Sequence, residues 1–213
     1  MTISLNRSQA VVNRTRLVPI VKTVLFCARA NLSFRGHRDD GALEIDTDND
    51  VHNPFSVTSP FQNDGIFRGL LRFRIDAGDG ILAEHFKHAS KNATYVSKAI
   101  QNELIKTGGD IIRDKILSRI KSRSFPVYTL MADETTDVST TEQMSVVFRY
   151  VDCSPDNPNV PIVREDFVDF VPVYDLSGRA LASKLTKYVS NTLGDGPYMV
   201  GQGYDGAAAI AAD

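Results

Sequence analysis

The hydrophobic pattern of this chain changes its period once, at Phe125-Pro126. Before this dipeptide, apolar residues recur every three or four positions, as they do on one face of a helix. After it, they form short continuous runs or alternate with polar residues, which is typical of strands. The pattern therefore predicts an α/β (α+β) chain with a helical region over residues 1–124 and a sheet-forming region over residues 125–213.

Helical spacing marks five segments of the first region. The predicted helices are Arg16–Ala30, Gly65–Ile75, Asp79–His88, Val96–Leu104 and a segment that begins after Asp110. Asp79 and Asp110 are residues that cap helix N-termini, and Thr107-Gly108-Gly109 is typical of a helix end. In the last helix, Ile112, Ile116 and Ile120 are predicted to face inward. Residues 39–61 are polar and contain two prolines, which predicts a loop.

Four segments of the second region have strand patterns. They are Val127–Ala132, Met144–Tyr150, Val160–Val173 and Pro197–Gly203. The first is apolar throughout, which suits a strand buried on both faces. A helix capped by Asp175 or Ser177 separates the third strand from the fourth, and an alanine-rich helix begins at Gly206. This order predicts a mixed sheet in which a right-handed crossover places the fourth strand parallel to the first.

Two acidic residues follow from that topology as site candidates. Asp133 closes the first predicted strand and Asp205 closes the fourth. If these strands are parallel neighbours, the two carboxylates project from the same edge of the sheet. Paired carboxylates in that position hold Mg²⁺ or Mn²⁺ against a phosphate. Aspartates also start turns and cap helices, so the spacing alone leaves both interpretations open.

Charge is divided unevenly along the chain. Residues 1–123 contain 19 Lys and Arg against 13 Asp and Glu, a balance of +6, whereas residues 124–213 contain 5 against 13, a balance of −8. This division fits a nucleic-acid-binding region beside a metal-binding centre, but charge alone favours two solvated faces. A balance of +6 over 123 residues is weak for a dedicated DNA-binding module.

Several classes of protein are excluded by simple counts. Two cysteines, Cys27 and Cys153, cannot form the disulfide framework of a secreted domain, and no Cys-x-x-Cys or Cys/His spacing predicts a zinc site. His85 and His88 are three positions apart but lack a third ligand, so we expect surface histidines. No run of 18 apolar residues predicts a membrane span, and residues 1–16 do not resemble a signal peptide. The chain is therefore expected in the cytoplasm or nucleus.

Six sequence blocks recur in the order of one known family. They are RGHRDD at 35–40, FRIDAGD at 73–79, ATYVS at 93–97, IQNE at 100–103, ADETTDVS at 132–139 and GQGYDGA at 201–207. Together they resemble the zinc finger MYM-type protein 1-like proteins and the related repressors of the protein-kinase inhibitor. These are transposase-derived proteins of the hAT superfamily.

The resemblance implies an RNase H-like domain in which three acidic residues bind divalent metal for DNA cleavage and strand transfer. The first acid matches Asp133 and the second Asp205, whereas Glu134 and Asp137 match no catalytic position. The third acid lies downstream of the last block in the family, beyond Asp213, so the chain is expected to be cut after its fourth strand. The family's N-terminal zinc finger has no counterpart here.

The resemblance therefore implies a fragment with a relict metal site that binds Mg²⁺ or Mn²⁺ weakly and is not an enzyme by itself. It also implies DNA as a partner and a nuclear location, with homo-oligomer formation left open. The alternative is a domesticated, non-catalytic nuclear protein that binds DNA or another protein and keeps only the fold.

Overall fold

The computed structural model describes most of the chain and divides it into two compact units, Met1–Gly108 and Gly109–Asp213. The described residues are 2–37, 39, 41, 43, 45, 64–90, 93–137, 139–154, 156–157 and 159–204. Most of the predicted loop 39–61 and the predicted helix after Gly206 lie outside them. None of the described helices combines the length and the apolar character that a bilayer crossing requires.

The first unit is helical. It contains α1 (Thr2–Arg29), α2 (Ile66–Asp76), α3 (Gly80–His88) and the first half of α4 (Lys98–Lys121). The helix predicted over Arg16–Ala30 is part of the longer α1, whose first half lacks the regular apolar spacing that would have revealed it. Asp79 caps α3 as predicted, because its side chain accepts a hydrogen bond of 3.1 Å from the Leu82 amide.

Buried charges hold the first unit together around an apolar core. Asp64 accepts a hydrogen bond of 2.8 Å from Arg68 and further bonds from Arg72, and the side chains of Asp64 and Arg68 are each 3% exposed. Arg68 also donates to the carbonyls of Asp39 and Gly41. Burial raises the pKa of Asp64, but the two guanidinium groups outweigh it and leave that pKa below its usual value. The apolar core comprises Ile20, Val24, Leu43, Phe67, Leu71, Leu82 and Val96.

Helix α4 runs without a break through Gly108 and Gly109, so the predicted helix end there is wrong. A glycine ends a helix when it enters the left-handed region, and neither of these two has a positive φ. The prediction that Ile112 faces inward is also wrong, because its side chain is 60% exposed. Ile116 and Ile120 are buried as predicted, since the core of the second unit begins one turn later than the pattern suggested.

The second unit is built on a four-stranded mixed sheet. Its elements are β1 (Val127–Thr136), β2 (Glu142–Cys153), β3 (Pro161–Pro172), α5 (Gly178–Leu193) and β4 (Tyr198–Gly203). The strand order is β3-β2-β1-β4, with β1 antiparallel to β2, β2 antiparallel to β3, and β4 parallel to β1. The predicted mixed sheet and the parallel pairing of its first and fourth strands are thus confirmed.

One face of the sheet forms the core of this unit. Met144, Val146 and Phe148 alternate along β2 and are fully buried, as the period-2 pattern predicts. Leu181 and Leu185 of α5 belong to the same core. On β1, Tyr128, Leu130 and Ala132 are buried while the residues between them are only half-buried. The prediction that β1 is buried on both faces is therefore right for one face only.

Candidate functional site at the ends of β1 and β4

Asp133 lies near the end of β1, where the strand leaves the core. It is opposite Ser145 on β2, and the Ser145 hydroxyl donates a hydrogen bond of 3.2 Å to the Asp133 carbonyl. The Asp133 side chain is exposed. Among the described residues, its carboxylate has neither a hydrogen bond nor an ion pair. Its oxygens are therefore available to a ligand, and carboxylate oxygens are the donors that Mg²⁺ and Mn²⁺ prefer.

The pairing of β4 with β1 depends on a glycine. Gly201 lies opposite Thr129, after a register shift between Tyr128 and Thr129. A Cβ atom at Gly201 would be 3.1 Å from the Thr129 Oγ1, closer than side chains normally approach. A residue without a side chain at this point lets the two strands pair tightly. Because the strands are parallel, their carboxyl ends point toward the same edge of the sheet.

Strand β4 ends beside the carboxyl-terminal part of β1, which continues to Thr136. Gly203, the last residue of β4, is paired with Met131 of β1. Asp133 follows Met131 by two residues, and Asp205 follows Gly203 by two residues in the sequence. The structure thus brings together the strands on which the predicted site depends. Asp205 itself lies outside the described residues, so the distance between the two carboxylates stays a prediction.

The neighbouring acids have other roles. Asp137 accepts hydrogen bonds from the backbone amides of Ser139 and Thr141, which closes the turn between β1 and β2. The Ser139 side chain and these amides lower the pKa of Asp137. Glu134 follows Asp133 on the strand and points to the opposite face, and its Oε1 is buried without a hydrogen-bond partner in the described part of the chain. Glu134 therefore does not face the same side of the strand as Asp133, and Asp137 lies beyond the end of β1, where the turn amides occupy its carboxylate.

Tyr204 is a contributor that sequence reasoning missed. It packs against the core of the sheet unit, and its hydroxyl group donates a hydrogen bond of 3.1 Å to Gln202. Burial raises the pKa of its phenol group. Tyr204 therefore anchors the chain immediately before Asp205. The available signal was the block GQGYDGA, in which a single aromatic residue stands among small and polar ones.

Charged clusters elsewhere in this unit are structural. The Asp152 side chain is 8% exposed and contacts Arg123 and Arg164, with Arg119 at 3.8 Å. Burial raises the pKa of Asp152, but the Cys153 amide and these arginines outweigh it and lower it overall. No group of three or more His, Cys, Asp or Glu side chains within the described ranges is arranged to hold a metal ion.

The two histidines of α3 differ from each other. His88 is exposed and pairs with Glu84, as expected of a surface residue. His85 is buried and stacks on Tyr95 with ring centroids 5.8 Å apart, so the prediction that it lies on the surface is wrong. Burial lowers the pKa of His85, although the Thr94 carbonyl opposes the shift.

Comparison with known proteins confirms the family to which the sequence blocks point. The model of the family described as ZMYM1/FAM200, RNase-like domain matches residues 56–213. The chain is also 25% identical over 193 residues to the human 52 kDa repressor of the inhibitor of the protein kinase, and equally to the mouse protein of that name. These alignments cover 90% of this chain and 22% of each relative, so the chain spans about a fifth of their length. No solved structure matches it.

Proposed function

The chain belongs to the ZMYM1/FAM200 RNase-like domain family of transposase-derived proteins, and from this premise we propose that it carries a relict metal site at the ends of β1 and β4. In this proposal, Asp133 and Asp205 are the two remaining acids of a hAT-type site for DNA strand transfer. They bind Mg²⁺ or Mn²⁺ weakly. The domain neither cuts nor joins DNA by itself.

The parallel pairing of β1 with β4 carries this proposal. The pairing brings the carboxyl-terminal part of β1, which contains Asp133, beside Gly203 at the end of β4, and Asp205 follows Gly203 by two residues in the sequence. The exposed and unpaired Asp133 carboxylate supports the assignment, because a carboxylate that only closed a turn would bond to backbone amides, as Asp137 does. Asp133 thus fits one position of a metal site.

The expected chemistry is limited by the number of acids. A bound divalent ion would activate a water molecule or a 3′-hydroxyl for attack on a phosphate. Two carboxylates leave most of the metal's ligand positions to water, and Mg²⁺ gives up water reluctantly, so we expect weak binding. The family resemblance assigns no third acid to residues 1–213. A site with only two of the three acids lacks part of the charge and geometry that the reaction requires, and we therefore expect no cleavage by residues 1–213 alone.

Manganese titration followed by NMR tests the metal site. Paramagnetic Mn²⁺ broadens the resonances of nearby amides, so we expect selective broadening at Asp133 and Ser145. The variant Asp133→Asn should lose it, whereas Asp156→Asn, which changes an exposed acid in the loop between β2 and β3, should not. Broadening that persists unchanged in Asp133→Asn would refute the site.

Nicking of supercoiled plasmid DNA with Mn²⁺ tests the absence of activity. We expect no nicking above the buffer control. Nicking that disappears in Asp133→Asn and persists in Asp156→Asn would overturn the proposal of an inactive site and establish a nuclease.

The alternative is a non-catalytic nuclear domain that binds DNA or protein. Helix α1 favours it, because its sequence contains five basic residues and no acidic one. The relatives are named as repressors, which supports a nuclear location. A metal titration without any effect, together with nuclear fluorescence of a fusion protein, would favour this alternative over the relict site.

Self-association through β4 is a further expectation. Within the described residues, β4 pairs with β1 alone, and Tyr198, Met199 and Val200 are each more than half exposed. A free strand edge with apolar side chains invites pairing with a second chain. We expect the elution volume in size-exclusion chromatography to fall as the protein concentration rises. A monomer at every concentration would contradict this expectation.

A further inference from the structure

Helices α1 and α2 of the first unit form a groove between them. The groove encloses a cavity of about 400 Å³, which lies at the lower end of the roughly 300–1,000 Å³ range of ligand pockets. Its walls are mainly apolar. The apolar residues are Leu25 and Phe26 on α1 and Leu70 and Phe73 on α2.

Three of these apolar side chains are unusually exposed. Phe73 is 66% exposed, Phe26 is 55% exposed and Leu25 is 42% exposed. Two phenylalanines that face solvent across one groove form a local apolar patch, and such patches mark interaction sites. Aromatic side chains are also enriched at the centres of protein interfaces.

The rim of the groove is cationic. Lys22, Arg29 and Arg74 lie among the lining residues, which include no acidic side chain. Arg74 pairs with Asp79. Lys22 and Arg29 form no ion pair within the described part of the chain, so the rim keeps positive charge for a partner. A ligand that complements this groove therefore combines apolar groups at its centre with acidic groups at its margins.

We propose that this groove binds an acidic amphipathic helix of a partner protein. Such a helix places large apolar residues at positions i, i+4 and i+7 into the groove and holds Asp or Glu against Lys22 and Arg29. The exposed phenylalanines favour a protein over DNA, because a phosphate backbone would pair with the cations but leave Phe26 and Phe73 unburied. The groove lies in the helical unit, so failure of the metal titration would leave this proposal intact.

Fluorescence anisotropy with a designed peptide tests the proposal. The probe is a fluorescein-labelled peptide of about 18 residues, or about five helical turns, with Phe and Leu on one face and Glu on the other. A scrambled peptide of the same composition and a DNA duplex of similar length serve as competitors. We expect the amphipathic peptide to bind at least about tenfold more tightly than the scrambled one, a difference of one decade in Kd.

Four variants of the full chain locate the binding. Phe73→Ala should weaken peptide binding about tenfold or more, whereas Phe125→Ala, which truncates a similarly exposed phenylalanine in the other unit, should not. The double variant Lys22→Glu with Arg29→Glu should abolish binding. Arg14→Glu changes the charge of an exposed α1 residue that does not line the groove, and it should leave binding unchanged.

The same variants separate protein from nucleic acid. If the basic surface of α1 binds DNA instead, the duplex will bind in place of the peptide. Arg14→Glu will then weaken DNA binding about as much as one rim substitution does, and Phe73→Ala will have no effect. That result would overturn the proposal, as would equal binding of the two peptides. Should the charge-reversal variant not fold, Phe73→Ala and Phe125→Ala still decide the matter, because both side chains are exposed.

Discussion

The helical unit and the sheet unit are stabilised in different ways. In the helical unit, charged and polar side chains lie inside the fold, and Asp64, Arg68 and His85 are almost fully buried. In the sheet unit the interior is apolar, and Asp152 is the one buried charge among its described residues. Apolar burial depends on volume, whereas a buried charge depends on its partner. Substitutions of similar size should therefore change the free energy of unfolding by different amounts in the two units.

Removing a buried carboxylate should have the largest effect. Asp64→Leu removes the carboxylate that pairs with the buried Arg68 guanidinium, and breaking a buried ion pair in this way costs about 3–5 kcal/mol. Chemical denaturation measures the loss of unfolding free energy. Hydrogen exchange measured on proteolytic peptides tests whether the loss lies in the helical unit. The volume-conserving change Met144→Leu in the sheet core should cost less than about 1.5 kcal/mol.

A double variant sharpens this result. Asp64→Leu combined with Arg68→Leu removes the stranded charge, so it should lose less stability than Asp64→Leu alone. A double variant that is less stable than the single one would mean that the bonds from Arg68 to the carbonyls of Asp39 and Gly41 matter more than its pairing with Asp64. The contrast between the two units would then rest on hydrogen bonds rather than on charge.

Overpacking between β1 and β4 should have the next largest effect. Gly201→Ala places a Cβ about 3.1 Å from Thr129 Oγ1, and such crowding costs about 1–3 kcal/mol. Gly196→Ala is the matched control, because nothing lies within 4 Å of its added Cβ. Adding Thr129→Ala to Gly201→Ala should recover part of the loss. If Gly201→Ala is as stable as the control, the close approach does not limit this strand pair.

The sheet was the more predictable unit. The alternation of Met144, Val146 and Phe148 predicted the buried face of β2. The helix between β3 and β4 predicted a crossover that makes β4 parallel to β1. The helical unit was harder, because its buried Asp64 and Arg68 read as surface residues in any hydrophobic pattern. Gly108 and Gly109 likewise signal a helix end in sequence, while the choice between helical and left-handed φ is made by the surrounding structure.

The candidate site was predictable in its strands but not in all of its parts. The choice of Asp133 and the prediction that β4 lies beside β1 followed from the order of the elements and from the resemblance to a family. The close contact between Gly201 and Thr129 did not, because it depends on a register shift that no local pattern encodes. The anchoring of Tyr204 in the core was missed because a single aromatic residue after a strand shows no periodicity.

Helix capping should give a smaller contrast, of about 1 kcal/mol. Asp79→Ala removes the hydrogen bond to the Leu82 amide that caps α3, and loss of such a cap costs about 0.5–2 kcal/mol. Ser177, at the start of α5, forms no side-chain cap, so Ser177→Ala should be close to neutral. Thermal denaturation compares the two variants. Because Asp79→Ala also removes the pairing with Arg74, equal losses would show that neither the cap nor this ion pair stabilises α3 measurably.

The smallest expected effect is a pH dependence confined to the helical unit. Burial lowers the pKa of His85 below its ordinary value of 6.5, with the Arg16 charge acting in the same direction and the Thr94 carbonyl opposing both. The unfolded chain then takes up a proton near pH 6.5 while the folded chain takes it up only at lower pH, so stability falls as the pH drops below 6.5.

Hydrogen exchange at pH 7 and pH 5.5 should show faster opening of α3 at the lower pH after correction for intrinsic rates. His85→Gln should remove this pH dependence of α3 opening, whatever its effect on overall stability. His88→Gln, which changes an exposed histidine, should keep it. If the pH dependence persists in His85→Gln, it comes from another group, and His85 does not contribute to the difference between the two units.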